Sequence, residues 1–339
     1  MKNRANYGGE NMRLYLAPLE GITGWIYRNA VHSCFGGFER YYIPFIKPNQ
    51  QGHFSVREKK DVLQEHNNGM DAIPQILTNS AEDFLKTASK LKNFYGYDEV
   101  NLNLGCPSKT VVVKGRGAGF LAEQEKLKSF LDNIFEKCET DISIKTRIGM
   151  EDPEEFDSLI EIYNGYPVKE LIIHPRVQKD FYKNVPRLDV FEEAFASSKN
   201  PVCYNGDLFS AKEMENFQKR FPEVETAMLG RGILANPALA REINEGKPAT
   251  KEELRKFHDM LYEGYCKEMS GDRTILFKMK EMWSYMAPIL TEHKKYAKKI
   301  KKCERCTVYE QIAEEFFAAS DVQENTLLTS RHDFFLQGE

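Results

Sequence analysis

A chain of 339 residues with 41% hydrophobic composition can form one large domain and a smaller one, and nothing in its balance suggests disorder. No apolar run approaches the length of a membrane-spanning helix, and the polar opening MKNRANYGGENM does not look like a secretory signal. The net charge of −4 excludes a polycation held to nucleic acid by its overall charge, and an odd count of seven cysteines points to reduced thiols in a cytoplasmic protein.

Short apolar runs alternate with stretches of helical spacing. Candidate strands lie at Leu14–Ala17, Tyr42–Ile46, Ile73–Leu77, Val100–Leu104, Ile142–Thr146, Leu171–Ile173, Val202–Asn205 and Ala227–Leu229. Between them, Ser80–Phe94, Glu123–Cys138, Glu154–Tyr163 and Ala211–Phe221 show helical periodicity and start near Ser or Asp caps. Strands that alternate with helices pair in parallel. Eight such units predict a (β/α)8 TIM barrel, an α/β fold, over residues 12–240.

Beyond Asn236-Pro237 the strand signal stops. Thr250-x-x-Glu253 reads as a capping box, and helical stretches follow at Lys251–Met269, Thr274–Met286, Thr291–Cys303 and Val308–Ala319. This predicts a small C-terminal helical bundle domain over 247–320, with a tail at 321–339 left unassigned. Cys303-x-x-Cys306 has no second pair of ligands at metal spacing, so no metal site is expected.

The most informative stretch is Val100–Ala122, VNLNLGCPSKTVVVKGRGAGFLA. An alternating strand breaks at Gly105-Cys106-Pro107, which holds Cys106 at a strand's C-terminal end, where parallel α/β folds place their chemistry. A lone cysteine is more often a small core residue. Asn103 before it, Gly and Pro around it, and a basic glycine-rich loop after it favour a functional role. GRGAG within that loop does not match a dinucleotide fingerprint.

Other polar residues also fall where strands finish. Ala17-Pro18-Leu19-Glu20-Gly21 follows the first strand, and Gln75 sits in the third. Lys145 and Arg147 end the fifth, His174 and Arg176 the sixth, Asn205-Gly206-Asp207 the seventh, and Gly230-Arg231-Gly232 the eighth. The loops after strands seven and eight form the usual phosphate site of this fold, and Asn205, Gly206, Asp207, Gly230 and Arg231 supply N–H groups and a guanidinium there. Lys145 and Gln75 facing the barrel centre suit a reducible heterocycle. Together these residues describe a flavin mononucleotide (FMN) pocket, flanked by Pro18, Leu19 and Glu20.

The motifs APLEGIT (Ala17–Thr23), NLGCPSK (Asn103–Lys109) followed by GAGFL, KTR (Lys145–Arg147), HPR (His174–Arg176), NGD (Asn205–Asp207) and GRG (Gly230–Gly232) resemble the tRNA-dihydrouridine synthases, in order from about Leu14 to Pro237. Leu19 stands where that family usually has Met, and Val177 where it has Thr. The resemblance implies FMN-dependent reduction of the uridine C5–C6 double bond in tRNA, with NADPH as reductant, and places Lys145 and His174 on the flavin. Cys106 would be the proton donor to C5, with Asn103 and Arg176 orienting the base.

A uridine in folded tRNA must be flipped out to reach a barrel mouth. Lys109, Lys114 and Arg116 could hold phosphates beside it. In Thr291–Cys306, Lys294, Lys295, Lys298, Lys299, Lys301, Lys302 and Arg305 share an arc of about 160°, opposite Tyr296, Ala297, Ile300 and Cys303. That face would attract RNA despite the overall negative charge. No membrane or protein partner is indicated, and a monomer is expected. Alternatives are a ribosomal-RNA dihydrouridine synthase, a flavin reductase of a free pyrimidine, and an RNA-binding protein that has lost catalysis.

Overall fold

The computed structural model describes residues 12–49 and 52–323. Its strands are β1 (Arg13–Leu16), β2 (Arg40–Ile46), β3 (Asp71–Ile76), β4 (Glu99–Leu104), β5 (Asp141–Arg147), β6 (Leu171–His174), β7 (Val202–Tyr204) and β8 (Thr226–Leu229). They pair in sequence order into a closed parallel barrel, and β8 returns to β1 with Arg13 opposite Thr226 and Leu16 opposite Leu229. All eight expected strands are present, with ends shifted by one or two residues.

The closure follows from strand alternation. Leu14 and Leu16 of β1, and Val100, Leu102 and Leu104 of β4, belong to the core between barrel and helices. Their neighbours turn inward, and Tyr15, Ala17, Tyr42, Ile73, Ile172, Cys203 and Met228 make a separate apolar cluster inside the barrel. Each fully buried Leu or Ile contributes roughly 1.5–3 kcal/mol. Both faces of the sheet are therefore covered, as a parallel sheet requires.

Several helices start at the caps visible in the sequence. Ser80 accepts the Asp83 N–H at 3.2 Å, and Ser210 accepts that of Glu213 at 3.1 Å. Thr250 and Glu253 form the expected reciprocal capping box. The helix Leu239–Glu245 runs across position 240, so the last helix after β8 extends past the boundary read from the sequence.

The C-terminal helices are Lys251–Glu268, Asp272–Met286, His293–Lys302 and Cys306–Ala319. They pack around Tyr309, whose hydroxyl meets Trp283 Nε1 at 2.8 Å and His258 Nε2 at 2.6 Å. Lys278 of the second helix donates to the carbonyl of Gly21, in the loop after β1. Tyr285, further along the same helix, reaches the mouth of the barrel. Of the unassigned tail, Val322 bridges to Leu290, and residues 324–339 lie outside the described residues.

Candidate active site

The turn after β4 is built by Asn103. Its Oδ1 accepts the backbone N–H of Gly105 at 3.1 Å and of Cys106 at 2.9 Å, which folds the chain back at the strand end. The glycine-rich loop then closes beneath the cysteine. Ala118 N–H donates to the Cys106 carbonyl at 3.1 Å. Gly117 has φ +55°, and a Cβ there would lie 2.9 Å from the Cys106 carbonyl oxygen, so this close approach admits only glycine. Arg147 adds a brace, donating to the carbonyls of Gly105 at 3.0 Å, Val177 at 2.9 Å and Phe181 at 2.7 Å.

Cys106 thereby lines a cavity of about 370 Å³ at the C-terminal end of the barrel. Every residue expected to hold the cofactor lines the same cavity: Pro18, Leu19 and Glu20 from the first loop, Gln75, Lys145 and His174 from the strands, and Asn205, Gly206, Asp207, Gly230 and Arg231 from the last two loops. Asn103 lines it too, with its carboxamide already engaged by the turn and by Gln75.

Four cations, Arg147, Lys145, Arg176 and Arg231, lie around His174. Burial and the neighbouring Arg147 push the Lys145 ammonium down to about 8. No hydrogen bond or ion pair engages that ammonium among the described residues. His174 is held neutral, well below its ordinary value, by burial and by Arg147, Lys145, Arg176 and Arg231. Its Nε2 lies 3.0 Å from Arg176 Nη1. A guanidinium only donates, so Nε2 accepts and the ring proton sits on Nδ1. Burial raises the Cys106 thiol above its ordinary value, so it stays protonated at neutral pH.

Arg231 is held at the phosphate corner. It pairs with Asp207 through Nη2, while its Nη1 is buried without a partner among the described residues. Its guanidinium lies 4.8 Å from the Tyr182 ring centre and 5.6 Å from that of Phe209. Gly206 beside it has no room for a side chain, since a Cβ would sit 1.9 Å from the Tyr204 hydroxyl. An unsatisfied guanidinium N–H is costly in a buried setting unless an anion takes it up. This donor set, with backbone N–H groups and a lysine at the barrel centre, fits a phosphate-bearing heterocyclic cofactor.

Some expected site residues lie outside the cavity. Arg176 does not line it. It is 1% exposed, chelates Asp207 with Nη1 at 3.0 Å from Oδ1, and also holds His174. The carboxylate 31 residues further along captures it, which ties the loop after β6 to the loop after β7. Lys109 is exposed on the short helix after Cys106, and Arg116 donates to Asn79 at 3.3 Å. Lys294, Lys298 and Lys302 are exposed on the helix His293–Lys302, whose opposite face buries Tyr296, Ala297 and Ile300. None of these five cations lines the cavity.

The sequence reading missed the aromatic wall. Phe45, Phe181, Tyr182, Phe209 and Tyr285 line the cavity. Tyr182 also lies 5.4 Å from the Arg147 guanidinium, and Phe181 beside it holds φ +49°, a conformation rare for a bulky side chain. An aromatic pair in the long loop after HPR is the only signal that could have found them.

Comparison with known proteins converges on one family. A tRNA-dihydrouridine synthase B from Pasteurella multocida is 24% identical over 230 residues, covering 68% of each chain. A tRNA-dihydrouridine(16) synthase from Neisseria meningitidis is 27% identical over 244 residues, 70% of this chain and 72% of that one. In fold alone, a structure of 2-naphthoyl-CoA reductase with 2-naphthoyl-CoA superposes with a TM-score of 0.53 at 12% identity, covering 70% of this chain and 50% of that chain. Residues 15–333 match the family model for dihydrouridine synthases, and with that span on a closed barrel whose strand ends carry the motifs above, the chain belongs to the dihydrouridine synthase family.

Proposed function

We propose that this protein is a tRNA-dihydrouridine synthase that reduces the C5–C6 double bond of specific uridines with FMN as cofactor and NADPH as reductant. The observation that carries the reading is the meeting, in one cavity, of a protonated thiol at Cys106, an unpartnered ammonium at Lys145 and a half-used guanidinium at Arg231. Asn205, Gly206, Asp207, Gly230 and Arg231 would hold the phosphate. Gln75, Lys145 and His174 would hold the ring, with Pro18, Leu19 and Glu20 along its edge.

The bound flavin, once reduced, supplies a hydride for C6 of the uracil. The chain's own task is the proton. Cys106 holds one at Sγ and gives it to C5 as negative charge develops there. The Lys145 ammonium and the neutral His174 ring, with its proton on Nδ1, supply donors that steady the charge around the reacting ring. Tyr182 and Tyr285 wall the cavity beside the reacting ring.

A cavity of about 370 Å³ admits a base and not a folded RNA, so the uridine enters flipped out of its stack. The helical region 247–320 binds the rest of the tRNA, with Lys294, Lys298 and Lys302 against its phosphates and Lys109 and Arg116 nearer the target nucleotide. The enzyme works as a monomer in the cytoplasm. The decisive experiment maps dihydrouridine in total RNA from cells with and without this protein. Loss at tRNA positions supports the proposal. Loss confined to ribosomal RNA, or reduction of free uracil or orotate by the purified protein, redirects it.

A further inference from the structure

Inside the barrel, below the cavity, four polar side chains form one directed chain. Alternation in β4 turns Asn101 and Asn103 to the interior, and Gln75 of β3 and Ser143 of β5 complete the set. Asn103 Nδ2 donates to Gln75 Oε1 at 2.7 Å. Gln75 Nε2 donates to Asn101 Oδ1 at 2.7 Å, and Asn101 Nδ2 donates to Ser143 Oγ at 3.0 Å. Glu99, one alternation further along β4, is held by Arg40 at 3.0 Å near the opposite end of the barrel. Gln75, Asn101 and Ser143 are fully buried, and Asn103 and Glu99 nearly so.

The direction of this chain is what matters. Backbone N–H groups only donate, so Asn103 Oδ1 must face Gly105 and Cys106 and its NH2 must turn to Gln75. That forces Gln75 to present its oxygen to Asn103 and its NH2 to Asn101. The same constraint passes to Asn101 and ends at the Ser143 hydroxyl oxygen, which accepts. Reversing any one amide sets two donors or two acceptors against each other in a dry core. Satisfying buried amides needs no common direction, and three consecutive donors aimed away from the cysteine turn amount to more than that.

We infer that Ser143 and Asn101 are positioning residues for Cys106, acting through Gln75 and Asn103 to fix the turn that carries the thiol. They touch neither substrate nor cofactor. The inference rests on the proposed function only where it concerns turnover, because the placement of Cys106 can be read without any reaction.

The test is Ser143→Ala in the full-length protein. Iodoacetamide alkylation of Cys106, followed by mass spectrometry of its peptide across a pH series, reads the thiol's exposure and acidity. With the chain cut, alkylation should speed up about tenfold and begin at lower pH, as the turn loosens and the thiol meets water. Dihydrouridine formation should lose about tenfold in kcat, with KM for tRNA changed by less than about twofold. Ser143→Thr, which restores the hydroxyl, should return both readouts toward the parent. A folded Ser143→Ala protein with an unchanged alkylation rate and pH profile overturns the inference. If that variant does not fold, Ser143→Cys, which keeps the volume and weakens the acceptor, carries the same test, with a smaller acceleration expected and no change again overturning it. A parent protein that reduces no RNA defeats the proposed function, while the alkylation result still decides the positioning role.

Discussion

The guanidinium of Arg231 lies 4.8 Å from the centre of the Tyr182 ring, a contact across the cavity mouth between the loops that follow β8 and β6. The ring covers one face of the cation and Asp207 takes one amino group, so the buried Nη1 amino group is left for a ligand. Arg231→Ala should weaken FMN binding by about 30-fold or more, as expected for loss of a charge-assisted contact to phosphate. Arg231→Lys should recover only part, because an ammonium cannot serve Asp207 and a phosphate in the same planar geometry. Fluorescence quenching of free FMN on titration with each variant measures both. Equal affinities for Arg231→Ala and the parent protein would remove Arg231 from the phosphate site.

Cys106→Ala should lower kcat for dihydrouridine formation by about 10²–10⁴-fold while the bound-flavin absorption spectrum stays unchanged. Cys106→Ser should recover little, since a hydroxyl is a far weaker acid. The pH dependence follows from the raised thiol value. A general acid works in its protonated form, so this group leaves kcat flat through neutral pH, and the rate falls only as pH rises through the raised value. Single-turnover rates of the reduced enzyme over a pH series read this limb directly. Normal turnover in Cys106→Ala would rule the thiol out as proton donor.

Lys145 makes the cofactor-free protein sensitive to pH in the opposite sense. Its ammonium titrates at about 8 when folded, against an ordinary 10.5. Below pH 8 it is charged in both folded and unfolded chains, and the full burial penalty, at most about 3 kcal/mol, weighs on the fold. As pH rises from 8 to 10.5 the folded state alone loses the proton and the penalty is relieved. Lys145→Met should therefore raise the Tm of the cofactor-free protein at neutral pH, and the gain should shrink toward pH 10.5. A ligand that accepts a hydrogen bond from the ammonium favours its charged form. FMN binding above pH 8 should accordingly take up protons, visible by calorimetry in buffers of different ionisation enthalpy. A Tm difference independent of pH would show that Lys145 is not desolvated in the fold.

The barrel and its rim were legible because they depend on short-range regularities. Alternation in β4 writes the inward set Glu99, Asn101 and Asn103 into the sequence directly, and each strand end then points its next few residues into the same mouth. Position alone thus placed Lys145, Asn205 and Arg231 around Cys106. The Arg176–Asp207 pair was not legible because it joins two different loops, and no local pattern announces it. Tyr182 and Tyr285 escaped notice for a related reason. An aromatic residue looks the same in sequence whether it fills a core or walls a cavity, and Tyr285 arrives from a helix beyond the barrel. The backbone of Phe181, at φ +49°, carries no residue-type signal at all. The lysine helix was readable, since a buried stripe of Tyr296, Ala297 and Ile300 leaves its other positions facing water.

That helix supports the last prediction. Lys299 is already paired with Glu315 at 2.7 Å, whereas Lys294, Lys298 and Lys302 lie on the exposed face. Lysines that meet phosphates release condensed counterions, and each contact contributes a little under one unit to the slope of log K against log salt. The double reversal Lys298→Glu, Lys302→Glu should weaken tRNA binding and flatten that slope by about two units, with FMN affinity unchanged because neither residue lines the cavity. Reversal at Lys86, an exposed lysine paired with Glu82 on the helix Ala81–Tyr95 of the barrel, is the control for a general charge effect. Filter-binding titrations across a salt series compare the two. A slope that flattens equally in both proteins, or in neither, would take the RNA-gripping role away from this helix.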